Sequence, residues 1–404
     1  MANQPNIRFK GFTEEWVEKF FEELYTRCIE KNDLSFEADK IISVANMFYR
    51  SSVASSSDEY MRTYNIMRLG DIAYEGNKSA NYAYGRWVEN YIGDGIVSHV
   101  FEVLRPKSKY DLLFWKYAIN NECIMRHILL RCTKKATMMT NIVVSDFLKQ
   151  KIDVPSIEEQ YKIGLFLQSI DSTITQREKE LEKLKNIKRA LLEKLFPQNG
   201  EKVPALRFKE FTEEWGEVAL GSIADRVTTK NSSKAYTETF TNSAEHGIMS
   251  QSDFFDHAIA NQENITGYYV VQENDFVYNP RISKLAPVGP INRNKLGRTG
   301  VVSPLYTVFR PKNVSVEYLE VFFIQNSWNK FMNFNGNSGA RLDRFSISDA
   351  IFWQMPIQYP QIEEQQKTAK LITTLSNLLS LREKQLTLLK HTKQALLEQM
   401  FVNE

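Results

Sequence analysis

Cysteine is scarce in this sequence, which has only three such residues among 404, at Cys28, Cys123 and Cys132. Three thiols cannot form the disulfide framework of a small secreted domain, and they are typical of a reducing compartment. Long apolar runs are also absent, since no stretch reaches the roughly 18 residues that a membrane-spanning helix needs. The N-terminal segment lacks the apolar core of a signal peptide. We therefore expect a cytoplasmic protein with no membrane association.

Sequence motifs of catalysis are missing as well. There is no G-x-S-x-G nucleophile turn, no glycine-rich phosphate loop ending in Lys-Ser/Thr, and no H-E-x-x-H zinc motif. Asn279-Pro280-Arg281 matches only the start of the Asn-Pro-Pro-Tyr motif of amino-methyltransferases, and no convincing glycine-rich cofactor turn accompanies it. We therefore expect a chain that is not an enzyme by itself.

Metal ligands are equally few. Cys123, His127 and Cys132 lie close together in the sequence, with the first two one helical turn apart. A structural zinc site needs four ligands, and three such residues on an apolar helix are more often part of a packed core. We expect neither a metal nor a cofactor on this chain.

A long segment, in contrast, occurs twice. Ile157–Phe196 returns as Ile362–Phe401, shifted by 205 positions, and Pro155 or Pro360 precedes each copy. Apolar residues in both copies alternate by four and three, which is the 3.5-residue period of a coiled-coil seam. The predicted seam consists of Ile163, Leu167, Ile170, Ile174, Leu181, Leu184, Leu191, Leu195, Ile372, Leu375, Leu379, Leu386, Leu389, Leu396 and Met400.

Polar residues interrupt this seam at matched positions in the two copies. Arg177 matches Arg382, and Lys188 matches Lys393. Helices that packed only on their own domains, which is the alternative, would not be expected to share these interruptions. We favour two helices of one chain that pack against each other.

The repeat extends beyond the helices. Ile7–Trp16 reads IRFKGFTEEW and Leu206–Trp215 reads LRFKEFTEEW, and Gly95–Ser98 is echoed by Gly300–Ser303. The sequence between these matched segments differs strongly. The two halves are therefore expected to share an architecture but to differ in the residues of their domains. We predict globular domains at residues 1–155 and 201–360, and helices at residues 156–200 and 361–404.

Each domain is predicted to mix helices and strands. Ser108 and Asp111 have capping-box spacing at the start of a predicted helix over Asp111–Arg131, and Asn313 precedes another over Val316–Phe334. Strands are indicated by β-branched and aromatic residues. The predicted strands are Phe101–Leu104, Gly267–Val271, Asp275–Tyr278 and Leu305–Phe309. The fold class is mixed α/β (α+β).

Charge is distributed in the same way in both halves. Glu14–His99 has nine Lys/Arg against fifteen Asp/Glu, whereas Glu102–Lys151 has ten against four. Glu213–Tyr278 has three against eleven, and Asn279–Phe345 has ten against three. A solvated lysine-rich surface is the alternative explanation, but recurrence at the same place in both halves favours two faces that attract a polyanion.

Two loops contain the residue types of a nucleic-acid reader. Arg131–Thr137 precedes the strand-like Ile142–Val144, and Asn333–Arg341 precedes Phe345–Ile347 at the same place in the second half. Arginine binds guanine through two hydrogen bonds, asparagine binds adenine, and lysine or serine positions phosphates. The candidate DNA-binding residues are Lys78, Arg105, Lys134, Lys135, Asn141, Arg281, Lys284, Arg293, Lys295, Arg298, Asn337, Ser338, Arg341 and Arg344.

Taken together, the repeats resemble a known family. Duplicated helices opened by P-x-I-E-E-Q, at Pro155–Gln160 and Pro360–Gln365, and the paired RFKxFTEEW segments are similar to the specificity subunit of type I restriction-modification systems. The resemblance covers essentially the whole length. It implies two target recognition domains that read a bipartite, asymmetric site in double-stranded DNA. It also implies an antiparallel intramolecular coiled coil and a pseudo-twofold internal repeat.

The resemblance further implies that the chemistry belongs to partners. Two methylation subunits would carry S-adenosylmethionine and flip out the target adenine. Restriction subunits would add translocation and cleavage that depend on ATP and Mg. The seam from Ile163 to Leu195 is 33 residues, hence roughly 50 Å of helix or on the order of 14 base pairs, so the helices are expected to act as a ruler between half-sites.

Two other functions stay open at this point. A stand-alone DNA methyltransferase with its own recognition domain is one, and the missing cofactor motifs argue against it. A coiled-coil adaptor that displays two protein-binding domains, and that does not bind DNA, is the other. Salt-dependent binding to duplex DNA would separate the adaptor from a DNA reader.

Overall fold

The computed structural model describes residues 4–50, 57–107, 109–135, 139–198, 200–254, 262–338 and 343–402. The chain forms two compact units. Unit 1 consists of Met1–Lys179 with Glu383–Glu404, and unit 2 consists of Glu180–Arg382. Each unit therefore combines one predicted domain with part of each repeated helix, and the unit borders lie inside the helices.

Unit 1 is built around a four-stranded antiparallel sheet. Its strands in chain order are β1 (Val17–Phe20), β2 (Tyr25–Cys28), β3 (Ile42–Ser43), β4 (Phe48–Tyr49), β5 (Asn65–Met67), β6 (Ile72–Glu75), β7 (Arg86–Glu89), β8 (Gly95–Val97), β9 (Val103–Pro106), β10 (Thr133–Lys135), β11 (Thr140–Ile142) and β12 (Lys151–Val154). The main sheet has the order β2-β9-β6-β7, and the pairs β1-β12, β3-β4, β5-β8 and β10-β11 surround it. The helices are α1 (Phe21–Leu24), α2 (Asp58–Met61), α3 (Leu112–Ala118), α4 (Glu122–Cys132) and α5 (Val144–Leu148), and α6 (Ile157–Lys194) begins here.

Unit 2 repeats this plan. Its strands are β13 (Gly216–Ala219), β14 (Ala224–Arg226), β15 (Phe240–Ser243), β16 (Gly247–Ser250), β17 (Tyr269–Val271), β18 (Phe276–Tyr278), β19 (Ile291–Arg293), β20 (Gly300–Val302), β21 (Thr307–Pro311), β22 (Asn337–Ser338), β23 (Phe345–Ser346) and β24 (Pro356–Tyr359). The helices are α7 (Leu220–Ile223), α8 (Gln251–Phe254), α9 (Val316–Ile324), α10 (Trp328–Asn335), α11 (Asp349–Phe352) and α12 (Ile362–Gln399). Its main sheet, β14-β21-β18-β19, has the topology of the unit 1 sheet, so the predicted mixed fold with an internal repeat is confirmed.

Two helix predictions need correction, because each continuous helix is in fact two shorter ones. α3 ends at Ala118 and α4 starts after Asn121, whose side chain accepts a hydrogen bond from the amide of Cys123 at 3.0 Å. α3 is capped by Asp111, and Ser108 lies outside the described residues. An asparagine cap inside an apolar run therefore overrode the helical periodicity.

In unit 2 the same break separates α9 from α10. Asn326 adopts a left-handed φ of 63°, which an asparagine tolerates better than most residues and which a helix cannot continue through. Ser315 caps α9, with its hydroxyl accepting from the amide of Tyr318 at 3.3 Å. Asn313, the predicted cap, instead sits in a left-handed turn with a φ of 56°.

The strand predictions are confirmed with shifted bounds. β9 and β21 begin two residues later than predicted, because Phe101–Glu102 and Leu305–Tyr306 lie before the paired residues. β17 and β18 do not pair with each other, since β17 pairs with β20 and β18 with β19 and β21. In the predicted strand Ile142–Val144, only Ile142 belongs to a strand, β11. Val144 is instead the first residue of α5.

The repeated helices are both 38 residues long. Each of the fifteen aliphatic seam positions is buried or half-buried. Within unit 1, Lys393 pairs with Asp171 at 2.6 Å and Lys390 with Glu178 at 2.6 Å, so α6 and α12 run antiparallel there. Among the described residues, no helix is both long and apolar enough to cross a membrane.

The P-x-I-E-E-Q motif forms a joint between helix and domain. In unit 1, the carboxylate of Glu159, which is 1% exposed, accepts two hydrogen bonds from Arg8 at 2.7 and 2.8 Å. The amide nitrogen of Gln160 donates to the carbonyl of Pro155 at 3.0 Å, and its oxygen accepts from the amide of Asp111 at 3.2 Å. Because Asp111 caps α3, the motif fixes the start of α6 to the helix that packs on the sheet.

Unit 2 contains the same joint, with distances that agree to within 0.2 Å. Arg207 donates to Glu364 at 2.7 and 2.8 Å. Gln365 bonds the carbonyl of Pro360 at 2.9 Å and accepts from the amide of Ser315, the α9 cap, at 3.0 Å. The P-x-I-E-E-Q motif therefore recurs in the sequence because the same buried polar contacts form in both units.

Aromatic residues at the helix ends complete the cores. Phe401, just beyond the end of α12, lies in the core of unit 1 with its ring 6.2 Å from Trp16 and 5.4 Å from Phe114. Phe196, just beyond the end of α6, lies in the core of unit 2 and contacts Trp215 at 5.8 Å. Each unit thus receives the end of the helix that begins in the other.

Candidate nucleic-acid interface

Each unit presents one short hairpin directly after its α4 or α10 helix. In unit 1, β10 and β11 pair with Lys134 opposite Asn141. In unit 2, β22 and β23 pair with Asn337 opposite Ser346. Lys134, Asn141 and Asn337 are all exposed. The two predicted reader loops therefore lie at equivalent positions of the repeated fold, one in each unit.

The hairpin of unit 1 is held against the loop that follows β6. The amide of Thr140 donates to the carbonyl of Gly76 at 2.8 Å, and its hydroxyl lies 2.7 Å from that of Tyr74. A Cβ atom on Gly76 would meet the carbonyl oxygen of Thr140 at 2.2 Å, so only glycine permits this approach. The contact brings the exposed Lys78, two residues further on, beside the hairpin.

The hairpin of unit 2 is attached in the same way. The amide of Phe345 donates to the carbonyl of Pro280 at 2.7 Å, and the amide of Ile282 donates to the backbone carbonyl of Asp343 at 2.9 Å. Arg281 and Arg344 are consequently paired across an antiparallel bridge, and both are exposed. Like charges directly opposite each other repel. Neither guanidinium has a carboxylate partner among the described residues, and an anion would offset the repulsion.

Several predicted residues lie elsewhere and are bound to acidic side chains. Arg105 in β9 pairs with Asp71 at 2.9 Å and Glu30 at 2.8 Å, and these hydrogen bonds raise the pKa of its guanidinium. Arg293 in β19 pairs with Glu317 and Glu320. The remaining pairs are Lys295 with Glu320 at 2.9 Å and Arg298 with Glu238 at 2.7 Å. The structure thus does not bring these four cations to the hairpins.

The other candidates divide as follows. Ser338 is exposed beside Asn337 in β22, and Lys284 is exposed in the loop after β18 that also contains Arg281. Lys135 belongs to β10 opposite Thr140. Arg341 lies outside the described residues.

Phe334 belongs to the predicted reader loop of unit 2 but is not among the candidate DNA-binding residues. It lies in the last turn of α10 with 89% of its surface exposed, next to the hairpin of unit 2. An aromatic ring in that position can stack on a base or enter a base step. Its signal in the sequence is an aromatic residue between two asparagines beside a glycine-rich loop.

The residues that the structure describes contain no cluster of three or more His, Cys, Asp or Glu side chains arranged to hold a metal ion. Cys132 is buried, its thiol donates to the carbonyl of Ile128 at 3.0 Å, and burial raises the thiol pKa to about 12. A thiol in that state is a core residue and a poor nucleophile at neutral pH.

A family comparison agrees with this geometry. The model of the type I restriction modification DNA specificity domain matches the chain twice, at residues 13–186 and 212–391. Each match contains one main sheet, one hairpin and most of one long helix.

Two solved structures share the fold over nearly the whole length. One is the S subunit of a type I restriction-modification system from M. genitalium, with 14% identity, coverage of 99% of this chain and 100% of that chain, and a TM-score of 0.56. The other comes from work on complex assembly and conformational transition of the type I R-M system, with 14% identity, 97% and 99% coverage, and a TM-score of 0.52. This chain belongs to the family of type I restriction-modification DNA specificity subunits and contains two copies of the specificity domain.

Proposed function

We propose that each unit reads one half of a bipartite, asymmetric site in double-stranded DNA. The observation that supports this most directly is the Arg281–Arg344 pair, which combines two exposed like charges with no carboxylate partner in the described chain. A phosphate or a guanine edge would relieve the repulsion through charge-assisted hydrogen bonds. In unit 1 the equivalent hairpin presents Lys134 and Asn141. The same position of the fold therefore carries different polar side chains in the two units.

In this proposal residues 1–155 and 201–360 are the target recognition domains, and residues 156–200 and 361–404 are the helical connectors. The chain acts as a non-catalytic guide. Two methylation subunits that carry S-adenosylmethionine dock on the repeated frame and methylate adenine, and restriction subunits supply ATP- and Mg-dependent cleavage. Support comes from the family match and from the duplicated joints, because two equivalent docking partners require two equivalent surfaces.

The proposal is tested by mapping methylated adenines in DNA from cells that express this chain with its methylation partner. A bipartite motif with two different halves and an unspecified spacer is expected. A continuous motif, or methylation by the purified chain alone with S-adenosylmethionine, would contradict it and favour a stand-alone methyltransferase. Absence of salt-dependent duplex binding by the assembled complex would favour an adaptor.

Removing the arginine pair should weaken recognition of one half-site only. For Arg281→Ala with Arg344→Ala we expect DNA affinity to fall by about 5- to 150-fold for each base contact that is removed, since a good bidentate pair contributes about 1–3 kcal/mol. The measurement is binding of the assembled complex to duplexes in which one or the other half-site is scrambled. Arg298→Ala is the matched control, because Arg298 is exposed but already paired with Glu238. An equal loss of affinity in both variants would exclude the bridge as the reader.

Helix length should set the spacer between the half-sites. Inserting one heptad in α6 and one in α12 adds roughly 10 Å of helix to each and should lengthen the preferred spacer by about three base pairs. The matched control inserts seven residues next to Gln198, after the end of α6 and outside both helices. A mapped methylation motif with an unchanged spacer after the helix insertions would disprove the ruler.

A further inference from the structure

Phe334, in the last turn of α10, is the most exposed large apolar side chain that the structure describes, with 89% of its surface open to solvent. A phenylalanine ring gains free energy when it leaves water, so this position invites a binding partner. The exposed residues nearest to it in the sequence are Lys330, Asn333, Asn337 and Ser338, all of them polar. A protein-binding surface is more often a contiguous apolar patch, whereas Phe334 is a single ring among polar side chains.

The ring is held at a defined place beside the hairpin of unit 2. Trp328 and Met332, on the other side of α10, are buried in the core. Gly336 ends the helix, and its amide donates to the carbonyl of Met332 at 2.8 Å. A Cβ atom on Gly336 would lie 2.4 Å from the ring of Phe345 in β23, so the helix end packs closely on the hairpin. The backbone of Phe334 is therefore fixed before binding, and little conformational freedom is lost when the ring finds a partner.

Basic residues accompany the ring. Lys330 lies four residues before Phe334, hence on the same face of α10, and it is exposed and makes no ion pair within the described chain. The hairpin adds Arg344, which faces Arg281 across the antiparallel bridge. A nucleic acid matches both features, because its phosphates pair with cations and its bases stack on aromatic rings.

Unit 1 differs from unit 2 at this place. The last turn of α4, which precedes the hairpin of unit 1 as α10 precedes that of unit 2, consists of Leu129, Leu130, Arg131 and Cys132. It contains no aromatic residue. Stacking by a side chain at the end of this helix is therefore expected in unit 2 and not in unit 1, so the two half-sites would be read in different ways.

We propose that Phe334 enters a base step of the half-site read by unit 2, and that the ease with which this step unstacks contributes to the choice of that half-site. This inference rests on the proposed function. Inserted apolar side chains part neighbouring bases and kink the duplex, and the cost of that deformation depends on the DNA sequence. Pyrimidine–purine steps are the easiest to part, so the step that Phe334 enters is expected to be of that kind. Specificity of this type needs no hydrogen bond to a base edge.

The first test is the affinity of the assembled complex for a duplex that contains the mapped methylation motif. Phe334→Ala should weaken binding by about 5- to 150-fold, the usual loss when one stacking aromatic side chain is removed. Leu206→Ala is the matched control and should leave the affinity unchanged, because it also shortens an exposed apolar side chain of unit 2, but one whose backbone bonds the end of α6. Unchanged affinity of Phe334→Ala, with discrimination of both half-sites intact, would overturn the inference and leave the proposed function in place.

A second measurement separates insertion into the stack from contact with the groove. A nick that keeps every base and phosphate makes one base step easier to part. At one position in the half-site of unit 2, such a nick should tighten binding of the unchanged complex by about threefold or more, and Phe334→Ala should lose that gain. An equal gain in both complexes, or no gain at any step, would show that the ring does not enter the stack. Failure of the unchanged complex to bind duplex DNA would overturn the inference together with the proposed function.

Discussion

Phe401→Ala is expected to destabilise unit 1 by about 3–5 kcal/mol, the usual effect of removing a buried phenylalanine ring. Phe401 is 2% exposed and stacks on Phe114 with ring centroids 5.4 Å apart, and Trp16 contacts it edge-on. Urea unfolding followed by tryptophan fluorescence should report the destabilisation, because Trp16 lies against the ring.

Two variants make this result specific. Phe334→Ala removes the same side chain from a position that is 89% exposed, and its effect on stability should stay within about 0.5 kcal/mol. Phe196→Ala removes the equivalent ring from unit 2 and should destabilise that unit by a similar amount to Phe401→Ala in unit 1. If Phe401→Ala and Phe334→Ala behaved alike, the helix end would not be part of the core.

Glu159→Ala should have an effect of the same size for an electrostatic reason. It leaves the guanidinium of Arg8, only 13% exposed, without its carboxylate, and removing one partner of a buried pair typically costs about 3–5 kcal/mol. Removing both charges is expected to be much milder, so Arg8→Met with Glu159→Leu should recover most of the stability. Thermal and urea unfolding of the three proteins would measure the difference.

The neighbouring residue provides a matched control for that experiment. Glu158 lies on the same turn of α6 but is exposed, so Glu158→Ala should change stability by less than about 0.5 kcal/mol. Equal effects of Glu158→Ala and Glu159→Ala would mean that the destabilisation reflects helix charge and not the buried pair. Glu364→Ala, at the equivalent joint, should repeat the Glu159→Ala result in unit 2.

The long helices were predictable because their information is local. A 3.5-residue period and matched interruptions at Lys188 and Lys393 are visible in the sequence itself, and every aliphatic seam position is at least half-buried. The split of the domain helices was not predictable from periodicity, since the apolar pattern continues across Asn121 and Asn326. There a single asparagine at a cap or a left-handed turn decided the outcome.

The surroundings of the candidate DNA-binding residues were predictable only in part, for a different reason. Composition identifies cations but not the acids that face them across the fold. Arg105 and Arg298 are 34 and 60 residues away from Asp71 and Glu238, their partners, and no sequence spacing indicates those pairs. Lys134, Asn141 and Asn337, in contrast, lie in the two hairpins, because both halves place unlike polar loops at one position of the shared fold; that these residues bind DNA stays a prediction.

The exchange of helix ends also has a consequence for the order of synthesis. The core of unit 1 contains Phe401, so the part of the chain made first lacks one of its buried rings until nearly all 404 residues have been translated. At typical rates of chain elongation, the interval between Lys179 and Phe401 is on the order of tens of seconds. During that time Trp16 and Phe114 lack the ring that packs against them in the folded unit. In unit 2 the order is the opposite. Phe196 precedes the strands of that unit in the sequence, so the end of α6 is synthesised before them.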